Sequence, residues 1–101
     1  MTAASVPSSP VPVHRPELSR FEVQEPAGTA VLTYTRRGDE VVLEHTVVPV
    51  ELEGGGVGSA LARSALAWAA QESLAVVPQC SFVQAFLERH PDEVHVEVRR
   101  G

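Results

Sequence analysis

A mixed α/β (α+β) domain, a twisted sheet carrying two helices, is predicted by three observations. Short segments rich in β-branched and aromatic residues follow one another from Arg20 to Val48, with turn signals between them. The last of them runs into a glycine cluster, Gly54-Gly55-Gly56-Val57-Gly58-Ser59, that opens an alanine-rich stretch of helical periodicity. Beyond that stretch stands a short, wholly apolar segment, Leu74 to Pro78, as expected of a buried parallel strand reached by a crossover helix.

The elements follow in order. Residues 1–17 hold Pro7, Pro10, Pro12 and Pro16 with Ser5, Ser8 and Ser9 between them. Proline removes backbone donors and fixes φ, so this stretch reads as a disordered or extended tail, in which His14 has no role. A single folded domain is expected over residues 18–101. Phe21-Glu22-Val23 alternates, and Pro26-Ala27-Gly28 marks a turn. Thr29 to Thr35 and Glu40 to Val48 are the next two strands, joined by the hairpin signal Arg36-Arg37-Gly38-Asp39. The three form an antiparallel meander.

The first helix is predicted from about Gly56 to Glu72, with Val57, Leu61, Ala65, Trp68 and Ala69 on one face. Its alanines favour helix and let the backbone lie close to a sheet. Ser81 is placed to cap a second helix from Phe82 to about His90, where Pro91 stops it. Glu93 to Val98 alternates and is expected as a last strand. The predicted order is β-β-β-α-β-α-β, without an internal repeat.

Composition narrows the function. A chain of 101 residues is one domain, and at that size about 60–65% of the unfolded surface can be buried. The net charge is −5, and the eight basic residues, all arginine, are scattered. That argues against nucleic acid, whose phosphates need clustered cations. The lack of lysine excludes a Walker-type phosphate loop and Schiff-base chemistry. The single cysteine, Cys80, cannot form an internal disulfide and suits a reducing compartment. No apolar run reaches the ~18 residues of a membrane span, and the start lacks a signal-peptide pattern. A cytoplasmic protein without a membrane partner is expected.

The glycine cluster is the most informative stretch. The first turn of a helix has N–H groups with no partner inside the helix. Glycines there remove shielding side chains and permit positive φ. The result is a seat for phosphate; the alternative is a strand-to-helix link with no ligand.

This strand–glycine loop–helix–strand unit resembles motif A of the GCN5-related N-acetyltransferases (GNAT). Their pattern Gln/Arg-x-x-Gly-x-Gly/Ala is matched here by Glu53-Gly54-Gly55-Gly56-Val57-Gly58. His45-Thr46-Val47-Val48-Pro49, Val77-Pro78-Gln79-Cys80-Ser81-Phe82-Val83 and Arg89-His90-Pro91 look like the signatures of the small GNAT-like family of the YjdJ type. The resemblance covers about residues 18–93. It implies a minimal GNAT fold and acetyl-CoA as co-substrate. It further implies a pyrophosphate held by Gly54, Gly55, Gly56, Val57, Gly58 and Ser59. Pantetheine would lie between parted strands near Val47 and Val48. Transfer of an acetyl group to an amine is the implied activity. An acyl-CoA-binding or protein-interaction module without transferase activity is the alternative.

Two departures from the family pattern matter. Glu53 stands where the superfamily prefers Gln or Arg, and a carboxylate beside a pyrophosphate is repulsive. The second helix, Ala85-Phe86-Leu87-Glu88-Arg89, has no tyrosine to protonate a departing thiolate; the one tyrosine is Tyr34. Cys80 is the obvious substitute, as nucleophile or as acid/base, since a thiol at a helix N-terminus has a lowered pKa; the other reading is a small buried hydrophobe. His45 is a candidate general base, or a histidine that fixes the strand end. No metal site is read. His90 and His95 have the wrong spacing, and His90 is expected to meet the last carbonyls of its helix. Full-size GNAT enzymes wall the acceptor with two early helices that have no counterpart here. The acceptor face should therefore be open, suiting a protein terminus or lysine side chain as well as a small amine.

Overall fold

The computed structural model describes residues 11–99. Five strands lie in sequence order: β1 (Val13–Arg15), β2 (Arg20–Glu25), β3 (Gly28–Arg37), β4 (Glu40–Val47) and β5 (Ala75–Pro78). The first four pair antiparallel, and β5 joins β4 in parallel after helix α1 (Val57–Gln71). Helix α2 (Ser81–Arg89) follows β5. This is the mixed α+β architecture that the pattern of elements predicts.

One apolar cluster holds the layers together. Phe21, Leu32, Leu43 and Val76 from the sheet meet Leu61, Ala65 and Ala69 of α1 and Val83 and Phe86 of α2. Ala62, Ala65 and Ala69 are fully buried, so the small side chains do bring α1 down onto the strands. Both helices thus share one face of the sheet. Cross-strand register puts Glu22, Val31 and Val47 together on the other face, and Thr33 beside His45. Neither helix covers that face.

Three expectations need correction. Residues 13–15, assigned to the tail by proline content, form β1 against β2. Three residues between Pro12 and Pro16 suffice for an edge strand, where flanking prolines leave the ladder intact. His14 is far from idle: its ring stacks on Phe21 at 4.2 Å, meets Trp68 edge-on at 4.8 Å and shares a 2.6 Å hydrogen bond with the Tyr34 hydroxyl. Arg15 and Arg20 close over the buried carboxylate of Glu22, at 3.4 and 2.6 Å. Residues 1–10 of the expected tail lie outside the described residues.

The second correction is the last strand. Residues 91–93 form a 3-10 turn, and only Val98 bridges β5, through Val76 N–H donating to Glu97 O and Arg99 N–H donating to Val76 O, both at 2.8 Å. β5 is four residues long and ends at Pro78, which has no N–H to extend a ladder. The third is the cap of α2: Cys80, not Ser81, is the N-cap, with extended φ and ψ of −81° and 131°.

Candidate functional site: a cleft where two strands part

β4 and β5 pair only from Glu40↔Ala75 to Leu43↔Pro78. The amides of Gln79 and Cys80 both donate to the Leu43 carbonyl, at 3.0 and 3.1 Å, and the chain then leaves the sheet as α2. On β4, Glu44 is an extra residue between the pairs Tyr34↔Leu43 and Thr33↔His45, a β-bulge that bends the strand away. Beyond Leu43, β4 therefore runs on to Val47 with no β5 residue paired beside it.

A cavity of about 630 Å³ opens at this divergence. Thr46, Val47 and Val48 form one wall, Phe82 and Arg89 of α2 face it, and the glycine loop with the start of α1 closes the end. Gly56 is the N-cap of α1 at φ 81°, Gly54 has φ 84°, and no side-chain cap covers the first turn. A Cβ at either position would meet open space, so the loop presents backbone to the cavity. Gly58 has another reason to be glycine: a Cβ there would stand 2.5 Å from Phe82 Cζ, so the ring lies directly against the first turn. Glu53 is exposed and lines the same cavity. Of the expected cofactor residues, Val47, Val48, Gly54, Gly56, Val57, Gly58 and Ser59 line it and Gly55 does not.

The two candidate catalytic residues are separated. Cys80 is buried at the head of α2, and its thiol donates to Thr46 Oγ1 at 3.3 Å. Burial pushes this thiol up, but once ionised the sulfur can accept hydrogen bonds from the Thr46 hydroxyl, turned to donate, and from the backbone of Val83, Phe82 and Thr46; these outweigh burial, so the net shift is downward. Cys80 does not itself line the cavity; it reaches it through Thr46. His45 is exposed on the opposite face of β4 from Thr46 and outside the cavity. Its cross-strand neighbour Thr33 keeps a buried hydroxyl oxygen with no hydrogen-bond partner. Tyr34 is held by His14 within the aromatic cluster and does not line the cavity. His90 turns its side chain to Glu93, at 3.3 Å, rather than to the carbonyls of its helix. Among the described residues, no three His, Cys, Asp or Glu side chains gather as metal ligands, and no helix is long and apolar enough to cross a membrane.

Residues 20–96 match the family described as GCN5-related N-acetyl-transferase. The chain belongs to this family. Protein NATD1 of Bos taurus is 35% identical over 69 residues, 67% of this chain and 61% of the relative. The proteins of the same name from Homo sapiens and Gallus gallus are each 33% identical over 69 residues, covering 67% of this chain and 61% and 63% of theirs. The chain spans about three fifths of the length of these relatives.

The GNAT match extends across the whole cleft, from β4 through α1 and β5 to α2. Four cleft residues were not among those singled out from the sequence: Thr46, Leu52, Phe82 and Arg89. Thr46 was embedded in the quoted His45-Thr46-Val47 stretch, but nothing in a lone strand threonine announces a thiol partner 34 residues away. Phe82 had a signal in retrospect, because a helix that starts Gly56-Val57-Gly58 leaves room for a ring against it.

Proposed function

We propose that the chain binds acetyl-CoA or CoA in the β4–β5 cleft and transfers the acetyl group to an amine. One observation carries the reading: the gap left where β4 outruns β5 is continuous with the uncapped, glycine-bounded first turn of α1. An extended carrier with a phosphate-rich end needs that combination, an unpaired strand edge for its amides and exposed helix N–H groups for its phosphates. A cavity of about 630 Å³ is of the size that small-molecule sites use.

Acetyl-CoA would supply the acetyl group as a thioester; amine attack forms the C–N bond, breaks the C–S bond and leaves a thiolate and an extra amine proton. The chain's own groups have distinct tasks. The β4 backbone beyond Leu43 would orient the carrier, and backbone N–H groups near the gap would polarise the thioester carbonyl. Cys80, hydrogen-bonded to Thr46 on the cavity wall, would give a proton to the departing thiolate through that wall and be restored from solvent. A covalent route, with Cys80 as the acetyl acceptor, is the variant. His45 would serve an amine arriving over the uncovered face of the sheet. That face suits a protein terminus or a lysine side chain as well as a small amine.

A second reading is favoured by the burial of Cys80 and the placement of His45 outside the cavity: a CoA-binding module without turnover. Calorimetric titration with CoA and a thiol-release assay with acetyl-CoA and an amine panel separate the two. Binding with CoA release supports transfer, and binding without release supports the module. No binding by the wild type overturns both. The glycine loop is tested by Gly56→Asp beside Gly56→Asn. Both place a side chain at φ 81°, but only the first adds a charge. Asp should bind CoA at least tenfold more weakly than Asn, about 1.4 kcal/mol.

A further inference from the structure

Seven arginines stand among the described residues, Arg15, Arg20, Arg36, Arg37, Arg63, Arg89 and Arg99. Five of them are neutralised. Arg15 and Arg20 pair with Glu22, Arg36 with Glu72, Arg63 with Glu93, and Arg99 with Asp39, Glu40 and Glu97. Arg37 and Arg89 make no ion pair among the described residues. Arg37 ends β3 at the hairpin, whereas Arg89 lines the cleft.

That is an unusual place for an uncompensated cation in a chain of net charge −5. Three carboxylates are close in sequence, but Glu88 and Asp92 make no ion pair with Arg89 among the described residues, and Glu93 is taken by Arg63 at 2.6 Å and by His90 at 3.3 Å. Among the described residues, the only other charged one on the cavity wall is Glu53. Arg89 also ends α2, where a cation favours the helix dipole. A dipole role alone does not call for a place on the cavity wall.

We propose that Arg89 binds a phosphate group of the acyl carrier and so makes the cleft select phosphorylated pantetheine thioesters. The proposal rests on the CoA reading above. A guanidinium offers a planar pair of donors that match two phosphate oxygens. It would hold the anion from α2 while the backbone of the glycine loop holds it from α1, and it would offset the repulsion of Glu53.

The test is calorimetry with CoA and with 3′-dephospho-CoA on the wild type and on Arg89→Gln, at low and at raised KCl. Arg89 is exposed and contributes only a helix-end charge, so the unliganded variant should melt within a few degrees of the wild type. Arg89→Gln should bind CoA at least tenfold more weakly at low salt, and its affinity should depend less on KCl. If the loss persists with dephospho-CoA, the contact is to the pyrophosphate; if it vanishes, to the 3′-phosphate. Equal CoA affinity in both proteins overturns the proposal and leaves the CoA reading standing. So does a loss with unchanged salt dependence, which would mean that Arg89 acts by shape. Failure of the wild type to bind CoA removes both.

Discussion

A thiol held by the Thr46 hydroxyl and by backbone at the head of α2 is more acidic than a free one. Thr46→Val removes the strongest of the contacts that lower it while keeping the β-branched shape. The pH midpoint for alkylation of Cys80, the single cysteine, should then move up. Turnover per folded molecule should fall with it if the thiol assists; an unmoved midpoint would deny Thr46 any hold on the sulfur. At the loop, Glu53→Gln should tighten CoA binding several-fold. Two unit charges at 4 Å in water repel by about 1 kcal/mol. A weaker Glu53→Gln complex would give the carboxylate a positive role in the site. Residue types told the truth here and residue partners did not. The glycines at 54, 56 and 58 are legible because backbone geometry and close approach restrict those positions. Thr46 and Arg89 gain meaning only from a strand divergence and an ion-pair census that exist in three dimensions.

The smallest element, β1, has the most concentrated effect. It carries His14 into a cluster with Phe21, Tyr34 and Trp68, and brings Arg15 to Glu22. A truncation beginning at Leu18 should lower the melting temperature. An aromatic stack contributes about 1 kcal/mol, and in a domain of this size that is about 4–8 °C. An unchanged melting temperature would show that β1 docks without holding anything. Burial lowers the pKa of His14, against the opposing pull of Glu17 and Glu72. The unfolded chain therefore takes up the proton more readily, and stability present above the ordinary imidazole range is lost as pH falls through it and below. Between about pH 7.5 and about pH 5.5 the wild type should lose more melting temperature than His14→Gln. Strong alternation made β2, β3 and β4 readable, and small-residue periodicity made α1 readable nearly to its ends. β1 was hidden because proline density is a statement about neighbours; its three residues pair through an edge that local pattern does not record. The expected last strand failed for the converse reason: alternation from Glu93 to Val98 promised a ladder, but β5 is too short to accept more than a bridge.

At the scale of the whole molecule, a single core cluster supports both helices and the sheet, so occupancy of the cleft and stability of the fold are linked. A ligand at 100 times its Kd stabilises the native state by about 2.7 kcal/mol. CoA at that excess should raise the melting temperature by well over 5 °C at ~4–8 °C per kcal/mol, and a flat response would count against the cleft as its seat. The divergence of β4 from β5 has a colloidal consequence as well. Past Leu43, β4 has no β5 partner, which leaves a short stretch of ladder unpaired in mid-sheet, with Val47 58% exposed beside it. Proteins ordinarily blunt such stretches with charge, proline or cover, because they template pairing with another copy. Here the metabolite would be the cover. Light scattering on warming should therefore rise earlier in ligand-free protein than in protein saturated with CoA, by more than the shift in melting temperature accounts for. Carrier supply would then govern how long the protein survives as well as how fast it works.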